Sequence, residues 1–269
     1  MNDPVQASLA SLPEREEMLR LVLLSLAPQV DVLRVFLNGY EQVPAFIGGG
    51  ELRDVVVACS QDHGDLGAAG KMFWSATGEG YQFTCDDDLI YPQYYVSKMI
   101  DGIERYGRKA VVSLHGSVIR NPALPSYYDN RKILHCTKLL ETPRSVHVLG
   151  SGCMAYHSST VHVRCEDFLS CKNAIDLQMA VFCQQQGVTR VVLEHAEAKT
   201  RMNGETLVGY DPESNVLVHL NPRRTISRGL REPGTNEFCS ALVASAGGWQ
   251  PLPKIKSWPE RGLAEGNAT

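Results

Sequence analysis

The sequence predicts an α/β protein with a mostly parallel central sheet flanked by helices and a less regular C-terminal extension. Two observations carry this expectation. Over residues 1–115, strand-length apolar runs alternate with helical segments or loops, the rhythm of strands joined by crossovers. One run, Asp54–Cys59, is apolar almost throughout, as suits a parallel strand buried on both faces. At 269 residues the chain can bury a substantial core.

In order, Val5–Leu12 reads as a first strand ended by Pro13. Ser11 is placed to cap the helix that follows, with Pro13 in its first turn and Glu14, Glu16 and Glu17 complementing its amino terminus. Leu19, Val22, Leu23 and Leu26 then recur at helical spacing. Asp31–Leu37 is a second strand, turned by Asn38-Gly39, and Asp54–Cys59 a third. Asp62–Phe73 (DHGDLGAAGKMF) is either a nucleotide-contacting loop or simply a flexible entry to a helix. It matches neither GxGxxG nor the P-loop pattern. After Pro92 a helix carries the apolar stripe Val96, Met99, Ile100 and Ile103, and Lys109–His115 is a further strand.

The second half is less regular. Asn121–Arg131 reads as a loop, Ser145–Leu149 as a strand and Gly150–Tyr156 (GSGCMAY) as a turn rich in small residues. Asn173–Gln186 reads as a helix stopped by Gly187, and Val188–Leu193 as a last strand ending at Glu194-His195. Beyond Lys199 the chain becomes Pro-, Gly- and Arg-rich, and Glu260–Thr269 reads as a tail. The expected organisation is therefore a domain over 1–199 and an extension over 200–269, packing on or near the active site.

Composition excludes some classes of function. With 26 basic and 30 acidic residues the formal charge is −4, which argues against a nucleic-acid binder. None of the eight cysteines forms a CxxC pair, and several lie in apolar runs, as buried thiols of a reducing compartment do. No secretory leader is legible, and Leu19–Ala27 is too short to span a bilayer. The expectation is a cytoplasmic protein.

The stretch with most chemistry is Tyr81–Pro92 (YQFTCDDDLIYP). Tyr81, Phe83 and Cys85 alternate with Gln82 and Thr84 as a strand, and Asp86, Asp87 and Asp88 then crowd three negative charges at its end. Such crowding is unfavourable unless something positive neutralises it, and hard oxygen ligands suit Mg²⁺ or Mn²⁺. A solvated acidic turn is the plainer alternative. Ligands of open α/β sheets sit at the carboxyl ends of strands, where this triplet is expected.

Several motifs share a distinctive order: Leu12-Pro13-Glu14-Arg15 after the first strand, Asp65, Gly67 and Lys71 in a DxGxxxK loop, the acidic triplet, the GSGCMA turn, and Asp176 at a later helix start. In that order residues 5–195 resemble the nucleotide-sugar-dependent glycosyltransferases of GT-A fold, close to the family 2 type that builds bacterial surface polysaccharides. The resemblance implies a GT-A (nucleotide-diphospho-sugar transferase) fold and metal-dependent glycosyl transfer, inverting at the anomeric carbon. The donor implied is a nucleotide sugar, by default a UDP-sugar, and the acceptor a glycan or lipid-linked saccharide. It also implies roles for individual residues. Asp88 and Asp86 would ligate the Mn²⁺ or Mg²⁺ that bridges the donor phosphates, with Asp86 or Asp87 also on the ribose. Arg15 and Asp65 would lie near the nucleoside, Lys71 near base or phosphate, and Asp176 would be the acceptor-side base. His195, just past a strand end, would be an additional metal ligand or a structural histidine.

Asp176 is followed by Leu177 and Gln178, which departs from the family's usual acidic pair. The cluster Arg223, Arg224, Arg228 and Arg231 suits a donor diphosphate, an anionic acceptor, an acidic membrane surface or plain solvent. Trp249 and Trp258 suit a sugar-binding edge or a cover over apolar surface. Two rivals stand beside the transferase: a sugar-nucleotide nucleotidyltransferase and a non-catalytic glycan-binding or scaffolding relative. A nucleotidyltransferase normally carries a Gly-rich basic motif after the first strand, where this chain has SLPEREEM.

Overall fold

Eight strands form the central sheet of the computed structural model, which describes residues 3–121, 130–198, 201–203, 206–208, 217–221 and 235–255. In chain order the first half comprises β1 (Val5–Ser11), α1 (Glu16–Leu26), β2 (Val32–Leu37), β3 (Val56–Cys59), α2 (Ser60–His63), β4 (Tyr81–Asp86), β5 (Leu89–Ile90), α3 (Tyr95–Arg105), β6 (Ala110–Ser113) and β7 (Gly116–Ile119). The second half comprises β8 (Arg131–Leu134), β9 (Arg144–Ser145), β10 (Val148–Leu149), β11 (Cys153–His157), α4 (Ile175–Gln185), β12 (Thr189–Val192), β13 (Arg201–Asn203), β14 (Thr206–Val208), β15 (Val218–His219) and α5 (Thr235–Ser245). The sheet order is β3-β2-β1-β4-β11-β6-β12-β9. Four of its seven pairings are parallel and three antiparallel, so the sheet is mixed but mostly parallel.

Strand alternation divides the core in two. On one face Leu9, Phe83, Cys85, Cys153, Ala155 and Val112 meet Leu19, Val22, Leu23 and Leu26 of α1 and Val96, Met99 and Ile103 of α3. On the other Val111, Met154, Tyr156 and Val192 meet Ile175, Met179 and Cys183 of α4. Both faces are thus covered, which lets the interior strands be apolar on successive residues.

The structure corrects the sequence reading in several places. Gly150–Tyr156 is not wholly a turn, because Cys153–His157 forms β11, an antiparallel strand between β4 and β6. Short length and a mixed Cys-Met-Ala-Tyr-His composition hide it; its partners on both sides make it a strand. Ser145–Leu149 is two strands in different sheets, β9 beside β12 and β10 beside β7. Ser11 caps nothing: Leu12 heads a 3₁₀ turn over Pro13–Arg15 that has no side-chain cap. The stretch after Asp65 is a 3₁₀ run, Gly67–Met72. Arg131, expected in a loop, opens β8, whose partner β7 was not foreseen, nor was α5.

Part of the C-terminal segment packs against the first unit. β15 pairs antiparallel with β5, Val218 opposite Ile90, and the Leu220 amide donates to the Asp88 carbonyl at 2.8 Å. Among the described residues no helix is long and apolar enough to cross a membrane. The Arg223–Arg231 cluster, Trp258 and the Glu260–Thr269 tail lie outside the described residues.

Candidate functional site

Parallel pairing sets the carboxyl ends of β1 and β4 side by side, Ala10 opposite Asp86. The turn after β1 then carries Arg15 over the acidic triplet. Its Nη1 lies 2.5 Å from Asp87 Oδ1 and 3.5 Å from Asp88 Oδ2. From the other side comes Lys71, whose Nζ lies 2.5 Å from Asp86 Oδ1. Its 3₁₀ run can lie against β2 because residue 70 is glycine; a Cβ there would stand 2.7 Å from the Phe36 ring. The Lys71 side chain is only 3% exposed, whereas that of Asp86 keeps 41% of its surface. The Asp86 carboxylate therefore borders an opening to solvent at the strand ends, the acidic cleft.

Gly152 forms the wall of that cleft. Cys153 pairs with Cys85, so one step along the antiparallel ladder Gly152 faces Asp86, and the Asp86 amide donates to its carbonyl at 3.2 Å. A Cβ on residue 152 would come within 2.1 Å of Asp86 Oδ2. The same carbonyl accepts the Tyr91 hydroxyl, and the Ser151 carbonyl accepts Thr84 Oγ1 at 2.7 Å. The Ser151 amide donates to Asp176 Oδ1 at 2.9 Å. Asp176 sits in the first turn of α4, where the helix dipole favours a carboxylate.

Burial and charge set the protonation of these groups. Burial pushes the Asp86 carboxyl up, but the Lys71 ammonium outweighs it and holds the group below its ordinary value, with Arg15 and His219 adding to the effect. Burial, then the neighbouring Asp86 charge, push Asp88 up to about 7. Burial also raises Asp87, against the opposing pull of Arg15, and Asp176, against its hydrogen bonds from Ser151. Burial disfavours the charges of Lys71 and Arg15, yet the carboxylates more than compensate and keep both protonated.

Of the residues singled out in the sequence, Arg15, Lys71, Asp86, Asp87, Asp88 and Asp176 thus come together. Asp65 does not join them: it is exposed, and its Oδ1 accepts the Gly67 amide at 2.8 Å, closing a local turn. His195 is buried, with Nδ1 2.8 Å from the Leu193 carbonyl and Nε2 3.2 Å from that of His135. Those contacts make it a prop for the 135–140 segment. His219 is a site residue that the sequence reading missed. It reaches the triplet only through the pairing of β15 with β5, between segments about 130 residues apart, so no local pattern announces it.

The donor set fits a hard divalent cation. Four carboxylates, Asp86, Asp87, Asp88 and Asp176, stand against two permanent cations, Lys71 and Arg15, and Asp87 Oδ2 is a buried oxygen with no hydrogen-bond partner. Asp88, raised first by burial and then by the Asp86 charge, is a carboxyl that a bound cation would return to its ionised form. Among the described residues, however, no three of these groups bring ligand atoms within 4.8 Å of one another, so the carboxylates do not form a closed cage. That arrangement suits Mg²⁺ or Mn²⁺ held by one or two carboxylates with phosphate oxygens completing the shell. No protein-family model matches the chain, and no curated protein matches it significantly.

Proposed function

We propose that the protein is a metal-dependent glycosyltransferase of GT-A type, moving a sugar from a nucleotide sugar to a glycan or lipid-linked acceptor with inversion. The observation that carries this reading is the acidic triplet at the carboxyl end of β4, flanked by Lys71 and Arg15, with Asp176 across Gly152. A UDP-sugar is the default donor. Cytoplasmic residence at the inner face of a membrane is compatible with a lipid-linked acceptor.

Asp88 and Asp86 would hold Mn²⁺ or Mg²⁺, which when bound neutralises the charge growing on the departing diphosphate. Lys71 and Arg15 hold Asp86 ionised, Lys71 orients Asp86 and Arg15 orients Asp87, and both add positive charge where the leaving group develops its own. Asp176, held by the Ser151 amide, takes the acceptor hydroxyl proton as that oxygen attacks the anomeric carbon. Its raised pKa brings its basicity nearer to neutral pH. Gly152 keeps the space above Asp86 clear for the substrate.

Titration with a nucleoside diphosphate, with and without Mn²⁺, tests this reading. Binding and thermal stabilisation that require metal, followed by metal-dependent hydrolysis of one nucleotide sugar, are expected. Metal-independent binding together with pyrophosphorolysis of a sugar nucleotide would favour a nucleotidyltransferase. Glycan binding without turnover of any donor would favour a non-catalytic relative.

A further inference from the structure

Behind the cleft the chain gathers a second set of metal-ligand types, chemically unlike the acidic triplet. β7 and β8 pair with Gly116 opposite Leu134, so the next position of the ladder sets His115 against His135 on one side of the hairpin. Their rings lie 5.0 Å apart, edge to face. Cys136 follows directly, and ligand atoms of His115, His135 and Cys136 all lie within 4.8 Å of one another. The histidines are partly exposed and the cysteine is buried, so the cluster has an open side and a closed one.

We propose that His115, His135 and Cys136 form a binding site for Zn²⁺, with solvent in the fourth position. Two imidazoles and a thiolate are a borderline-to-soft donor set that selects zinc over the Mg²⁺ or Mn²⁺ suited to carboxylates. Neighbouring backbone groups hold both rings in place. The Thr137 amide donates to His135 Nδ1 at 3.3 Å, and Thr137 Oγ1 lies 2.9 Å from the same nitrogen, so the ring is fixed in orientation. The Cys136 amide donates to His115 Nδ1 at 3.4 Å, and the His135 carbonyl is pinned by His195. Binding displaces one proton, that of the Cys136 thiol, into solvent. The ion would tie the β7–β8 hairpin to the turn before β11, where the Gly150 amide donates to the His115 carbonyl at 2.9 Å, and so brace the segment that carries Gly152.

Cobalt titration of chelator-treated protein tests the site, because only a thiolate-bound Co²⁺ gives an intense near-ultraviolet charge-transfer band. One equivalent should give that band together with visible bands of four-coordinate Co²⁺, and Zn²⁺ should bleach both. Cys136→Ser should abolish the band, and His135→Gln should weaken Co²⁺ binding more than about a hundredfold, beyond the loss typical of an outer hydrogen bond. Asp88→Ala should leave the band unchanged. As a control on folding, His135→Gln in chelator should melt with wild-type protein in chelator, and should lack the zinc-dependent rise in Tm. No charge-transfer band, a band surviving Cys136→Ser, or a zinc-dependent Tm rise persisting in His135→Gln would each overturn the assignment. All of these readouts are independent of glycosyl transfer.

Discussion

Replacing Gly152 by alanine probes how tightly the cleft is built. The added Cβ would stand 2.1 Å from Asp86 Oδ2 and 2.5 Å from its Cγ. Reaching even the closest tolerable contact requires the carboxylate to retreat by about 1 Å, since repulsion rises steeply inside van der Waals distance. Lys71 Nζ lies 2.5 Å from the other oxygen of the same carboxylate, so the retreat must lengthen that pair or move the lysine. The Lys71 side chain is 3% exposed and gains little hydration, whereas Asp86 at 41% exposure recovers hydration as it moves. Losing one partner of a wholly buried ion pair costs about 3–5 kcal/mol; with one partner half open, about 1–3 kcal/mol is expected here. Denaturant unfolding of the metal-free protein measures it, and calorimetry of Mn²⁺ with a nucleoside diphosphate should show binding weakened at least tenfold. Wild-type stability with wild-type binding in Gly152→Ala would refute the placement of Asp86 against residue 152.

Three other perturbations give separate tests. Asp88→Asn should stabilise metal-free protein at pH 8 by a few kcal/mol, because a carboxyl raised from 3.8 to about 7 weakens the fold as pH climbs through that window; below about pH 4 the gain should vanish, and an unfolding series across pH reads both limbs. Asp176→Asn should keep donor binding but slow transfer by roughly a hundredfold or more, with NMR of the wild-type product showing the configuration opposite to the donor's; a retained configuration would remove the need for this base. His147 is held neutral, its pKa lowered from 6.5 to about 4 by burial and by Arg190, and its Nδ1 accepts the Ile119 amide at 2.9 Å. The unfolded chain takes up this proton first, so stability should fall by about 3 kcal/mol as pH drops from 6.5 to 4, a slope that His147→Asn should flatten.

Local periodicity was enough to place α1, α3, α4 and strands β1, β2, β3, β4 and β6 to within a few residues, because an amphipathic helix or an apolar strand writes its burial into its own spacing. The acidic triplet was equally legible, since three adjacent carboxylates at a strand end demand compensation whatever surrounds them. Partners were not legible. That Arg15 and Lys71 supply the compensation follows from β1 lying beside β4 and from a 3₁₀ run laid on Phe36. That Gly152 stands against Asp86 and is not merely part of a turn follows from β11 entering the sheet antiparallel, its ladder bringing residue 152 to Asp86. His219 and the pairing of His115 with His135 depend likewise on ladders between strands distant in sequence or too short to announce themselves. The sequence alone determined which segments would bury themselves and where charge would concentrate, because these are properties of neighbouring residues. The tertiary structure alone decided which charges meet, because strand order and register are set by the whole sheet.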